Sequence, residues 1–133
     1  MIFIDTGPFL AQRLSRDPYR KQSLSVWKRL EQSNERLATS NFVLDELITL
    51  LAKRASCAFA FDAVRGLYDS SRLSILRPES EDEILALGLM RQFADPEISF
   101  TDYLSFALMK RNRIRKAFTF DKHYKIAGFE TLE

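Results

Sequence analysis

The sequence predicts an α/β protein with a parallel central sheet and helices on both of its faces. Short β-prone runs alternate along the chain with longer segments of helical periodicity, which is typical of a parallel sheet. The first run, Ile2-Phe3-Ile4, is continuously apolar, as expected of a central strand buried on both faces. With 46% hydrophobic and 29% charged residues, the chain fits one globular domain over 1–133.

A helix follows the N-terminal strand directly. Gly7 and Pro8 stop the strand, and Pro8 suits the first turn of a helix that runs to Leu14. The clearest helix covers residues 41–55, with Ser40 as a candidate N-cap. The remaining predicted elements are helices over 19–30 and 59–68, a helix opened by a Ser80–Glu83 capping box, a helix from 102, and strands over 37–39, 73–76, 117–120 and 128–132.

The composition is informative about the cellular compartment of the protein and uninformative about its binding partner. The single cysteine, Cys57, excludes an intramolecular disulfide and a cysteine zinc site, and we expect it to be a small buried hydrophobe. No apolar run approaches the roughly 18 residues of a membrane span, and the N-terminus has no signal-peptide layout. We therefore expect a cytoplasmic protein without membrane contact. The formal net charge of +2 is too small to indicate a partner.

Four acidic residues are predicted at one edge of the sheet. Asp5 and Asp121 follow strands, Asp102 opens a helix, and Glu46 lies two turns into a helix on a stripe with apolar residues. All four can reach the carboxyl-end edge, where open α/β sheets bind ligands. Taken singly, Asp5 can be a helix cap, Asp102 a partner of the helix dipole and Asp121 a strand end. Their convergence favours a shared role.

Clustered carboxylates indicate a cation. They repel one another and cost stability unless positive charge lies among them. Mg²⁺ and Mn²⁺ take oxygen ligands, and such an ion can lower the pKa of a bound water and polarise a phosphodiester. The sequence therefore points to metal-dependent hydrolysis.

A basic segment separates Asp102 from Asp121. One interpretation is a helix C-terminus that favours cations; the other is a surface that contacts nucleic-acid phosphates, and both can hold. His123 is expected to be a surface hydrogen-bonding residue, with proton donation as the alternative, and Trp27 and Met109 are expected in the core or an interface. The basic residues are Lys110, Arg111, Arg113, Arg115 and Lys116, of which the last four are the candidate RNA-binding residues.

Four segments resemble the PIN-domain family, and more narrowly the VapC-type ribonuclease toxins of toxin–antitoxin pairs. They are IFIDTGPFLA, SNFVLDEL, ISFTDYLSFALMKR and AFTFDKHYKIAGFETL, and they reach from one end of the chain to the other. Position by position, the acidic metal-binding residues of the family fall on Asp5, Glu46, Asp102 and Asp121. Thr6 matches a hydroxyl position that supports the site. Asn112 departs from a common helix-end glycine, but asparagine tolerates the left-handed conformation, so we expect the turn to be kept.

The resemblance implies a three-layer α/β/α sandwich and RNA cleavage that depends on Mg²⁺ or Mn²⁺ and leaves a 5′-phosphate. It also implies a homodimer, which we expect to form through the helices between residues 19 and 68, and inhibition by a small antitoxin protein.

Three alternatives remain beside a ribonuclease toxin. A non-catalytic RNA- or protein-binding relative would carry the same acids. A receiver-type signalling module would need an acid pair after the first strand and an acceptor aspartate after the third, where Leu76 is followed by Arg77 and Pro78. A haloacid-dehalogenase-like phosphatase would need an aspartate two residues after Asp5, where Gly7 stands.

Overall fold

Strands and helices alternate along residues 1–132, the part of the chain that the computed structural model describes. The strands are β1 (Ile2–Ile4), β2 (Leu37–Ser40), β3 (Leu73–Leu76), β4 (Lys116–Phe118) and β5 (Glu130–Leu132). The helices are α1 (Thr6–Arg13), α2 (Arg20–Gln32), α3 (Asn41–Arg54), α4 (Cys57–Asp69), α5 (Ser80–Phe93), α6 (Phe100–Arg111) and the short α7 (His123–Ile126).

The five strands form one parallel sheet in the order β3-β2-β1-β4-β5. The chain steps outward from β1 to β3, then crosses back to β4 on the other side of β1. Because parallel crossovers are right-handed, this order places α1 to α4 on one face and α5 to α7 on the other. The predicted α/β class with helices on both faces of a parallel sheet is confirmed. The strand order reverses between β1 and β4, which is where such sheets bind ligands.

Aromatic side chains fill much of the core around these two strands. Phe3 and Phe118 are fully buried, and the Phe118 ring packs edge-on to Trp27 with centroids 5.3 Å apart. On the α6 side, Phe106 packs edge-on to Tyr124 at 4.9 Å. Trp27 and Met109 are core residues, as predicted. The rigid core therefore lies directly beneath the ends of β1 and β4.

Several local predictions differ from the structure by one or two residues. The capping box of α5 uses Glu79 as N-cap and Asp82 at the third position, because Ser80 already lies inside the helix. The left-handed residue after α6 is Arg113, with φ 56°, and Asn112 stays near φ −91°. β4 ends at Phe118 rather than at Phe120.

The prediction for Cys57 is wrong, because the thiol is exposed in the first turn of α4. Ser56 caps this helix by accepting a hydrogen bond from the Phe59 N–H. Position 57 is therefore set by the helix start and not by packing. Within residues 1–132, no helix combines the length and the apolar character that a membrane crossing needs.

Candidate active site

Asp5 anchors the site at the point where the strand order reverses. Its backbone N–H continues the β1–β4 ladder by donating to the Phe118 carbonyl at 3.0 Å. It is also the N-cap of α1, and its Oδ1 accepts a hydrogen bond from the Thr6 N–H at 2.8 Å. The side chain is 8% exposed. The helix-cap interpretation is therefore correct for Asp5, and the same contact fixes its carboxylate at the sheet edge.

Thr119 connects Asp5 to Asp121. Its buried hydroxyl donates to Asp5 Oδ2 at 2.7 Å and accepts from the Asp121 N–H at 3.0 Å. One side chain thus positions a carboxylate after β1 and the loop after β4. Sequence reasoning assigned the supporting role to Thr6 instead. The Thr6 N–H donates to Asp5, whereas the Thr6 hydroxyl is buried without a hydrogen-bond partner among the residues described, and its support of the site stays a prediction.

Asp102 and Glu46 reach the same place from two helices. Asp102 is the third residue of α6, whose N-cap Ser99 accepts a hydrogen bond from the Asp102 N–H. The pKa of Asp102 is raised to about 8: burial is the largest cause, and the charges of Asp5 and Asp121, a hydrogen bond to Asp121 and the charge of Glu46 contribute to the rise. The structure therefore brings the four predicted acids together.

The pKa of Asp5 records the same crowding. The pKa of Asp5 is raised to about 6: burial is the largest cause, the hydrogen bonds from Thr119 and Thr6 oppose the rise, and the charges of Glu46 and Asp121 contribute to it. Asp45, the neighbour of Glu46 on α3, is exposed. Of the four acids, Asp5 is the deepest, and the other three are only partly buried. The cluster thus has a closed side beneath Asp5 and a side open to solvent.

Two aromatic residues lie beside the acids, and Tyr124 was not identified as one of them from the sequence. His123 is buried, not at the surface as predicted: its Nδ1 lies 2.6 Å from Asp121 Oδ1 and its Nε2 lies 3.7 Å from Asp95 Oδ2. Tyr124 is fully buried, and its hydroxyl lies against Asp5 without a well-formed hydrogen bond in the described residues. Burial, with the charges of Asp5 and Asp102, raises the pKa of Tyr124 well above its usual value.

The candidate RNA-binding cations lie elsewhere. α6 starts beside the acids at Asp102 and ends at Arg111, and Lys116 pairs with Ile2 at the amino end of the sheet. The basic segment is therefore at the edge opposite the acids. Arg111 is also engaged, since its Nε donates to Asp82 Oδ1 at 2.8 Å. The structure does not bring these cations to the acid cluster, and their contact with RNA stays a prediction.

The chemistry of the acid cluster fits a hard divalent cation. Its carboxylates offer only oxygen ligands, which Mg²⁺ and Mn²⁺ prefer. Burial is the largest cause of the raised pKa values of Asp5 and Asp102, and the charges of the neighbouring acids add to both. Within residues 1–132, no three Asp, Glu, His or Cys side chains lie close enough to share an ion as they stand. Sharing one ion among three or more of the acids therefore requires side-chain movement.

A variant pair tests the role of Thr119. Thr119→Val removes both hydrogen bonds at nearly constant volume, and we expect it to destabilise the protein by about 1–3 kcal/mol and to lower metal affinity or cleavage about 10- to 100-fold. Thr119→Ser keeps the hydroxyl and should restore most of both. Urea unfolding and a Mn²⁺ titration measure the two effects. Equal metal affinity in the Val variant and wild type would show that Thr119 only supports the fold.

Known proteins resemble this chain over nearly its whole length. The PIN domain family matches residues 2–130. The 23S rRNA-specific endonuclease VapC20 of Mycobacterium tuberculosis, from strains CDC 1551 and H37Rv, is 31% identical over 131 residues, which is 97% of this chain and 95% of that protein. The VapC20 crystal structure, described as a sarcin-ricin loop cleaving toxin, has a TM-score of 0.87 at 28% identity and covers 97% of this chain and 96% of its own.

A more distant structure shares the fold alone. VapBC2 from Rickettsia felis, bound to a DNA fragment from its promoter, has a TM-score of 0.70 at 16% identity, with 99% of this chain and 98% of that chain covered. The likeness to VapC20 is both end to end and above 30% identity. The family predicted from the four sequence segments is confirmed: this chain belongs to the PIN domain family.

Proposed function

We propose that this chain is an endoribonuclease that depends on Mg²⁺ or Mn²⁺ and acts as the toxin of a toxin–antitoxin pair. Family membership and the whole-length likeness to an endonuclease make it a VapC-type ribonuclease. The observation that carries the proposal is the meeting of four carboxylates where the strand order reverses. The likeness to VapC20 favours ribosomal RNA, and its sarcin-ricin loop first, as the substrate to test.

The acids would hold the cation, and their surroundings keep them in place. Asp5, Glu46, Asp102 and Asp121 are the ligands we propose. When bound, the ion lowers the pKa of a water and polarises the phosphodiester. An anionic phosphodiester cannot approach a cluster of carboxylates closely without such compensation, because like charges repel.

The chain itself supplies orientation. The Thr119 hydroxyl and the Thr6 N–H fix the Asp5 carboxylate, and the Thr119 hydroxyl also holds the Asp121 backbone. Buried Tyr124 closes the inner side. Glu46, Asp102 and Asp121 remain reachable from solvent, so RNA approaches from that side. In the absence of a cation, burial and the neighbouring acids favour the protonated form of Asp102, because they raise its pKa to about 8.

The structure argues against a receiver-type module but does not separate a nuclease from a non-catalytic relative. A receiver-type module needs its acceptor aspartate after β3, but β3 is the edge strand, separated from β1 by β2, and Arg77 follows it. A non-catalytic relative would keep the same acids and bind RNA without cutting it, so only an activity measurement separates it from a nuclease.

We test the reaction type with purified protein free of any antitoxin. It is incubated with ribosomal and transfer RNA in Mn²⁺, and the cut ends are treated with a 5′-phosphate-dependent exonuclease. We expect cleavage at few sites and ends that the exonuclease degrades. Ends that resist the exonuclease would indicate another mechanism. Binding of RNA without any cleavage would favour the non-catalytic relative.

We also propose a homodimer, and the structure offers a surface that sequence reasoning did not choose. On α5, Ile84, Leu87 and Met90 are 67%, 52% and 49% exposed, and Gly88 lies between them with open space around it. An apolar stripe with a small residue at its centre suits close helix packing about a two-fold axis. The helices between residues 19 and 68 also expose apolar side chains, with Phe61 63% exposed.

Light scattering with two matched variants distinguishes the surfaces. We expect a dimer mass for wild type at tens of micromolar and a monomer for Ile84→Lys combined with Leu87→Lys, because two buried charges would oppose association. Phe61→Lys should remain dimeric. A monomeric wild type would remove the proposal, and dissociation by Phe61→Lys alone would move the interface to α4.

The VapC-type likeness supports a small antitoxin protein as a further partner. We expect it to abolish cleavage when added in equimolar amount, which a gel assay would show.

A further inference from the structure

A cavity of about 530 Å³ lies at the C-terminal ends of α1 and α3. It is lined by the loop between α1 and α2, the junction of α3 and α4, and three arginines, Arg13, Arg16 and Arg54. One carboxylate, Asp17, shares the lining, and its Oδ1 accepts from the Tyr19 N–H. The cavity therefore has an excess of two positive charges.

None of the three arginines forms a salt bridge within residues 1–132. Arg13 is the most enclosed of them: its guanidinium donates to Gln12 Oε1, and burial lowers its pKa. Arg13 and Arg54 end their helices, where the helix dipole favours cations. The dipole explains a charge at each helix end. It does not explain why three guanidiniums face one cavity without a matching set of acids.

Two of the arginines in the cavity lie about 12 Å from a site acid, measured along a helix. Arg13 follows Asp5 by eight residues on α1, and Arg54 follows Glu46 by eight residues on α3, so each arginine lies about 12 Å along its helix from a site acid. α1 and α3 pack against each other. Two neighbouring helices thus each carry a site acid nearer the start and an arginine at the end.

Aromatic side chains link the cavity to the site. Tyr19 ends the lining loop and stacks on Phe120, with centroids 4.5 Å apart and planes 10° from parallel, and Phe120 directly precedes Asp121. Tyr19 is 47% exposed, and Phe59, in the cavity wall, is 40% exposed. Exposed aromatics among arginines are typical of surfaces that bind single-stranded nucleic acid, where bases stack and phosphates pair.

We propose that Arg13, Arg16 and Arg54 bind backbone phosphates of single-stranded RNA a few nucleotides from the cleaved bond, with a base stacked on Phe59. The inference rests on the proposed ribonuclease function and names where its substrate is held. It replaces the basic segment between α6 and β4 as the main phosphate contact. An acidic protein segment would suit the arginines but would leave the exposed rings without a role.

The test measures the salt dependence of binding to a fluorescein-labelled single-stranded oligoribonucleotide of about 12 nucleotides. All proteins carry Asp102→Asn so that the probe stays intact. Arg16→Ala with Arg54→Ala removes two exposed charges, and Arg13 is left in place because it is partly buried. We expect the slope of log Kd against log salt to fall by about 1.4, and Kd at about 0.1 M salt to rise roughly 10- to 25-fold.

The matched variant is Arg113→Ala with Arg115→Ala, which removes the same charge from the segment after α6, on the other face of the sheet, and should leave the slope unchanged. Phe59→Ala should weaken binding about 5- to 100-fold at an unchanged slope, since stacking is not electrostatic. Circular dichroism confirms folding of each variant.

An unchanged slope in the Arg16/Arg54 variant would overturn the inference, as would a drop confined to the Arg113/Arg115 variant. If wild type cuts RNA in either case, the ribonuclease function stands and only the assignment of phosphate binding to the cavity is wrong. If wild type neither cuts nor binds RNA, both fail. If the protein binds polyglutamate through these arginines and does not bind RNA, the cavity suits an acidic protein and the inference is overturned.

Discussion

Asp102→Asn is expected to abolish RNA cleavage while leaving the metal-free protein at least as stable as wild type. The amide cannot supply the charge that a divalent cation requires, so we expect a loss of a hundredfold or more, beyond what loss of an outer support costs. Stability should rise because the carboxyl stands among three other acids, and burial and their charges raise its pKa to about 8. A site arranged for a cation is strained without one, which is the usual exchange of stability for activity.

Thermal melts with and without Mn²⁺ measure the second half of this expectation. Wild type should gain stability from Mn²⁺ by mass action, since the ion binds the folded site, and the Asn variant should lose most of that gain. Asp45→Asn is the matched control, because Asp45 is exposed beside Glu46 on α3 and should behave as wild type. If the metal-free Asp102 variant melts well below wild type and Mn²⁺ shifts both equally, Asp102 is only a helix-start residue.

The stability of the metal-free protein should fall as pH rises from about 4 to about 8. In the folded state the pKa of Asp5 is raised to about 6 and that of Asp102 to about 8, whereas the usual pKa of an aspartate is 3.8. In this window the folded state binds more protons than the unfolded state, so the free energy of unfolding decreases as pH rises. Below pH 4 both states are protonated and the penalty is absent. Above pH 8 it is complete.

The difference between Asp102→Asn and wild type isolates this effect from other titrating groups. We expect the free energy of unfolding of the variant, relative to that of wild type, to increase steadily between pH 4 and 8. The total increase should be about 2–3 kcal/mol after allowance for solvent screening. Urea unfolding at several pH values in EDTA gives both curves. Saturating Mn²⁺ should flatten the wild-type curve. A constant difference across the range would mean that Asp102 does not lie in a crowded negative site.

The positions of the four acids can be predicted from sequence because strand ends and helix phase determine them. Asp5 follows an apolar strand, and Glu46 shares a helix stripe with buried residues. The basic segment could not be placed in the same way. Its charges are close to Asp102 in sequence, yet α6 carries them to the opposite edge of the sheet. Closeness in sequence therefore did not place these charges beside Asp102, because α6 lies between them.

Supporting contacts are harder still to predict. Thr6 and Thr119 both lie within two residues of a site acid in sequence, and the sequence does not show which hydroxyl contacts Asp5. Burial of His123 depends on the short helix α7, which carries no clear periodic signal. The pattern Thr119-Phe120-Asp121 was the available signal, since a threonine two residues before an acid can accept the N–H of that acid.

The central claim is that the acid cluster cuts RNA through a divalent cation, and removal and return of the metal tests it most directly. Purified, antitoxin-free protein cleaves ribosomal RNA in Mn²⁺, then receives excess EDTA, and finally excess Mn²⁺. We predict that cleavage stops on addition of EDTA, resumes when Mn²⁺ is restored, and is absent throughout for Asp102→Asn. Cleavage that continues at an equal rate in EDTA would contradict the account.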